Sequence, residues 1–193
     1  MQPHATAWIQ WFPLHMTWHF LVAGGLGWLV ARRTRRPWLG WLCAAMSILV
    51  DLDHVVDYLT YYGWHHISWQ DFVNGGYIRE TGKVYLWAHA WEWVALLLVI
   101  SRWLPRPAVG VALALGLAGH LAVDTIDHHE YLGKNVLTYR IAHHFNVSAI
   151  LTPDIQRATW GNVLWPPTVP LASPPRQLPH TSHSPQRGSN AQL

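Results

Sequence analysis

Charge is what this chain has least of. Asp, Glu, Lys and Arg make up 12% of its 193 residues, against about 25% in an average soluble domain. It has a single cysteine, Cys43, which excludes an intrachain disulfide framework and a cysteine-built zinc finger. No serine stands in a Gly-x-Ser-x-Gly elbow, so a serine-hydrolase triad has no support. Gly24-Gly25-Leu26-Gly27 has no strand before it, which rejects a phosphate loop and favours close helix-helix contact through small residues. The first apolar run has no Lys or Arg before it and no small-residue cleavage site after it, and reads as a retained helix.

What fills the chain instead is apolar. Hydrophobic residues make up 51% and tryptophan alone counts 14. Many indoles (Trp8, Trp11, Trp18, Trp38, Trp41, Trp64, Trp69, Trp87, Trp103) fall near the ends of apolar segments, where such rings favour the membrane-water boundary. The mean hydropathy of +0.08 is diluted by a polar tail. A net charge of +3 and a pI near 9.2 would suit a nucleic acid, but the arginines gather in two short turns and line no groove, so no nucleic-acid partner is expected.

Four apolar runs are predicted, over residues 14–31, 38–50 (continuing in helical spacing to 58), 84–104 and 108–126. Each approaches the roughly 17 to 25 residues that cross a hydrocarbon core. Arg32-Arg33-Thr34-Arg35-Arg36-Pro37 ends the first and Arg102-Trp103-Leu104-Pro105-Arg106-Pro107 the third. Residues 63–82 read as a loop or short amphipathic segment, and 135–151 as a shorter helix carrying His143 and His144. After Pro153 the patterning fades, and from Pro166 the composition is too polar to order itself. The expected fold is therefore all-α: a polytopic helical membrane bundle of about four transmembrane helices with one or more short extra helices. It occupies 1–151 as a membrane-embedded metal-binding domain, followed by an irregular Pro/Ser/His-rich tail, 152–193. Placing both arginine turns in the cytoplasm leaves the N-terminus, the 63–82 loop and everything after Ile126 outside.

That topology brings four ionisable clusters to one depth on one side: His15 and His19, Asp51-Leu52-Asp53-His54, His89 with Glu92, and His120 with Asp124. Such groups are costly to bury in apolar helices, and a shared metal ion or proton-transfer site is the economical compensation. His120 and Asp124 share a helix face at i, i+4, and His128 extends it by one more turn. Asp51 and His54 pair at i, i+3, as do His89 and Glu92, like the Glu/His pairs of di-metal bundles. Asp53 points elsewhere, free to hold a second ion or to orient a histidine. Imidazole with carboxylate suits Zn, Mn, Fe or Ni.

The residues Thr17-Trp18-His19-Phe20-Leu21, Asp51-Leu52-Asp53-His54, Trp87-Ala88-His89-Ala90 and Gly119-His120-Leu121-Ala122-Val123-Asp124 together resemble the bacterial membrane-bound metal-dependent hydrolases. That family includes the LexA-inducible inner-membrane proteins and is related to the zinc-dependent phospholipase C-like fold. The matched stretch covers about two thirds of the chain. Val50 stands where the family usually has proline, and Ala88-His89-Ala90 where it usually has Thr-His-Ser. The resemblance implies an all-helical metal site, a hydrolytic activity and a bacterial inner membrane. It makes His19, Asp51, Asp53, His54, His89, His120 and Asp124 ligands or their immediate supports.

The function expected is hydrolysis, with one or two divalent metals, zinc foremost, activating water against a phosphoester or similar lipid-proximal bond at the extracytoplasmic surface. Asp53, Glu92 or Asp127 would serve as general base. The partners are then the bilayer and a lipid or other phosphoester substrate. The alternative is a non-enzymatic membrane protein that binds or moves metal ions or protons; transporters place such groups near the bilayer midplane, whereas these lie toward helix ends.

Overall fold

A computed structural model describes residues 5–65, 67–73, 76–127 and 132–150; the expected tail, 152–193, lies outside them. The described chain is helical: α1 (Ala5–Thr34), α2 (Pro37–Leu49), α3 (Leu52–Tyr62), α4 (Trp69–Val73), α5 (Gly76–Thr81), α6 (Trp91–Ser101), α7 (Pro107–Asp127), α8 (Leu137–Ala142) and α9 (Val147–Ile150), with a 3-10 turn at Leu132–Asn135. The one extended pairing among these residues is an antiparallel bridge between Lys83 and Asn146. Prolines open α2 and α7, where the missing N–H costs nothing. Arg35 takes a left-handed φ of 55° after α1, and the α3 terminus is closed by Gly63 at φ 76°, the C-terminal role glycine fills best.

Three stretches are long and apolar enough to cross a membrane: Pro13–Thr34, Pro37–Tyr62 and Pro107–Ile126. Their outward faces carry Leu21, Trp28, Trp41 and Leu49, with Trp41 77% exposed, the reverse of a water-soluble surface. The expected third crossing, 84–104, is not formed as one helix. Its helical part, α6, has 11 residues, about 16 Å at the helical rise and half a hydrocarbon core. The cause lies just before it. The Leu86 and Ala88 amides donate to the Asp57 and Asp53 carboxylates, and Leu86 itself is left-handed at φ 42°. Helical hydrogen bonding therefore cannot propagate back to Val84.

Small residues set how closely the long helices approach. A Cβ on Gly27 would lie 2.8 Å from the carbonyl oxygen of Gly40, and one on Gly40 or Gly116 would strike the carbonyl of Gly27 or Cys43. α1, α2 and α7 thus meet backbone to backbone. The glycine contact expected around 24–27 comes down to Gly27, since Gly24 and Gly25 face open space. Val30, Leu39, Cys43 and Ala112 fill the junction, while Val50, Leu117 and Leu121 pack nearer the other end. A separate small core of Val84, Leu86, Val147 and Ile150, with Ile78 against it, joins α5 and α9 to the segment before α6. Two backbone bonds, Val84 N to Phe145 O at 2.9 Å and Val147 N to Gly82 O at 3.0 Å, complete that junction.

Gly40→Ala is expected to destabilise the protein by about 1–3 kcal/mol, the usual cost of overpacking, whereas Gly24→Ala leaves stability unchanged or slightly raised. Equal unfolding midpoints for the two variants in detergent would remove the close contact from the account of the fold.

Candidate metal centre

Because α2 and α7 run parallel to each other and antiparallel to α1, the N-terminal part of α1, the α2–α3 junction and the C-terminal part of α7 meet at one end, opposite the arginine turns. Four ligand-type residues there are nearly or fully buried: His19, His89, His120 and Asp124. His120 Nε2 lies 3.0 Å from His89 Nε2, 3.3 Å from Asp51 Oδ1 and 3.3 Å from Asp124 Oδ2. His89 Nε2 lies 3.4 Å from Asp51 Oδ1 and 3.8 Å from Asp124 Oδ2. Neighbouring donors around a small divalent cation, each about 2.0–2.1 Å from it, are themselves about 3.3 Å apart. These five separations, 3.0 to 3.8 Å, bracket that spacing.

The other ring nitrogens decide what the facing pair can be. His120 Nδ1 donates to the Ser47 carbonyl at 2.8 Å, and His89 Nδ1 donates to Asp53 Oδ2 at 2.9 Å. Both partners only accept, so in each neutral imidazole the proton sits on Nδ1 and the lone pair on Nε2. Two lone pairs 3.0 Å apart repel, so this approach calls for a metal ion bound by both nitrogens or a proton shared between them. Holding a ligand imidazole through its far nitrogen is also how metal sites fix the ring.

A second position adjoins the first. In α1, His15 Nε2 and His19 Nε2 are 3.1 Å apart, and Asp124 Oδ1 is 3.1 Å from the latter and 3.9 Å from the former. Asp124 therefore turns one oxygen to each position. The groups His15/His19/Asp124, Asp51/His54/His89 and His89/His120/Asp124 can each hold an ion. One imidazole nitrogen serves one ion, so the two groups sharing His89 describe the same position. His54, its Nδ1 3.0 Å from the Tyr77 hydroxyl, flanks that position beside Asp51.

Of the residues expected from sequence, His19, Asp51, His54, His89, His120 and Asp124 are brought together. Asp53 is not among the facing donors: its Oδ2 holds the Ala88 amide and His89 Nδ1, which is the orienting role its helical position allowed. Glu92, expected in the third cluster or as general base, turns away. Its two oxygens accept from the Leu137 and Thr138 amides and the Thr138 hydroxyl, tying down the start of α8. His128 and the Asp127 side chain lie outside the described residues. Asp57, which no sequence motif singled out, is buried and holds the Leu86 amide at 3.0 Å; its spacing of four from Asp53 was the available signal. Ser47 and Arg140 were not anticipated. Ser47 acts through its backbone, which no residue type announces. His143 and His144 occupy the exposed turn after α8.

Comparison with protein-family models, curated proteins and solved structures gave no match.

Glu92→Ala is expected to leave metal content intact while accelerating amide hydrogen exchange at Leu137 and Thr138. Metal loss in that variant with exchange at those two amides unchanged would return Glu92 to the centre.

Proposed function

We propose that the chain is a membrane-bound metal-dependent hydrolase of the type its histidine and aspartate motifs resemble, acting on a phosphoester or similar bond at headgroup level. The observation that carries the reading is the approach of two Nδ1-protonated imidazoles, Nε2 to Nε2, between two carboxylates. Two divalent ions fit, zinc foremost, one held by Asp51, His89, His120 and Asp124, the other by His15, His19 and the second oxygen of Asp124. When bound they would supply a Lewis acid and a water acidic enough to ionise near neutral pH.

The chain's own residues divide the remaining work. Asp124, with its side chain 8% exposed, spans the two positions and fixes their separation. Asp51 is the open ligand, its side chain 30% exposed, so water and substrate enter on its side and its carboxylate is placed to take up a proton. Asp53 and the Ser47 carbonyl hold the rings of His89 and His120. The arginine turns at the opposite end favour the extracytoplasmic face of a bacterial inner membrane for the centre.

Purified protein is expected to contain two equivalents of divalent metal and to cleave a fluorogenic phosphodiester in mixed micelles, with a chelator abolishing turnover. His120→Ala should empty the centre, and Asp124→Asn should hold one equivalent or none. Absence of stoichiometric metal from the wild type, or metal fully retained in both variants, overturns the proposal. Metal content with ion flux in proteoliposomes and no phosphodiester turnover would instead establish the transport reading.

A further inference from the structure

His89 differs from the other buried ligands in one respect: it stands on no helix. His19 and His120 inherit their direction from α1 and α7, whereas residues 84–90 are held by side chains reaching in from elsewhere. Asp57 holds the Leu86 amide, Asp53 holds the Ala88 amide and the His89 ring, and the third anchor is Arg140. Its Nη2 donates to the His89 carbonyl at 3.0 Å.

Arg140 is 0% exposed, although arginine is almost never fully buried unless paired. Among the described residues, its Nε and Nη1 have no hydrogen-bond partner, and neither has Asp53 Oδ1. Burial draws the guanidinium down to about 10, while the charges of Asp53, Glu92 and Asp57 hold it up. The three acids acting on Arg140 are thus the two that anchor the His89 segment and the one that fastens the start of α8. The charges of these carboxylates reach Arg140 without a direct ion pair, and a buried cation in their neighbourhood offsets them in an apolar setting, where charges must be balanced. The short helix α8, pinned by Glu92 at one end and followed by a Phe145 N to Arg140 O bond of 2.7 Å, serves to carry it.

We propose that Arg140 is a positioning residue for the metal centre, clamping the backbone of His89 and balancing the acids that hold its ring, so that Nε2 faces the ion. The assignment rests on the metal reading of the site.

The test uses the full chain in detergent, with Zn²⁺ affinity measured by chelator competition and Co²⁺ as a spectroscopic probe. Arg140→Met is expected to weaken Zn²⁺ binding about 10- to 100-fold, the range for losing an outer support of a ligand, and to alter the Co²⁺ d–d bands as a nitrogen donor is displaced. Arg140→Lys, which keeps the charge and a donor, should recover most of the affinity and the wild-type bands. Arg140→Gln, able to reach the carbonyl without charge, keeps the test decidable where Arg140→Met does not fold. Wild-type affinity and bands in every folded uncharged variant overturn the positioning role alone. A wild-type chain that binds neither Zn²⁺ nor Co²⁺ overturns the hydrolase reading as well.

Discussion

Two imidazole nitrogens face each other at 3.0 Å inside an apolar bundle only when a metal ion or a shared proton joins them. In this chain the arrangement follows from acceptors set behind the rings: the Ser47 carbonyl behind His120 and the Asp53 carboxylate behind His89. Both rings are locked with their lone pairs inward, and Asp51 and Asp124 bring negative charge to the same point. The fold is arranged to keep that collection of groups together, although each would be costly to bury alone.

The close approach of α1, α2 and α7 makes this possible. His19, Asp51 and His120 come from α1, the α2–α3 junction and α7, and their side chains are too short to bridge a normal helix spacing filled by large residues. Gly27 against Gly40, and Gly116 against the Cys43 carbonyl, bring the axes close enough for imidazoles and carboxylates to touch. Packing at one end of the bundle and chemistry at the other are thus one design. The short α6 and the irregular residues before it are a further adjustment, giving up a full-length helix so that His89 can enter from the side.

Much of this was legible in the residues. Apolar run lengths located the three long helices, and proline with arginine marked two of the turns. Spacing of three and four put Asp51 with His54 and His120 with Asp124, and separated Asp53 from Asp51 by helical phase. Three things resisted. The run 84–104 has the hydropathy of a span, and only carboxylates more than 25 residues earlier, taking up the Leu86 and Ala88 amides, prevent it from being one. Glu92 has the right spacing from His89 for a ligand, but that spacing means a shared face only inside a helix, and His89 precedes the helix. Arg140 lies in a stretch with no motif, and its importance comes from a contact spanning 51 residues.

The bridge between Lys83 and Asn146 has a bearing on biosynthesis. The loop that delivers His89 is fastened by residues that follow the last long apolar helix, so during translation α1, α2 and α7 can enter the bilayer while that loop still lacks its last fastening. The bridge to Asn146 and the Arg140 bond to the His89 carbonyl can close only after α7 has been made, so the last hold on His89 is added to the hold that Asp53 and Asp57 already provide. Whatever the pocket binds through His89 can be held there fully only once the short stretch carrying Arg140 and Asn146 has followed α7 from the ribosome.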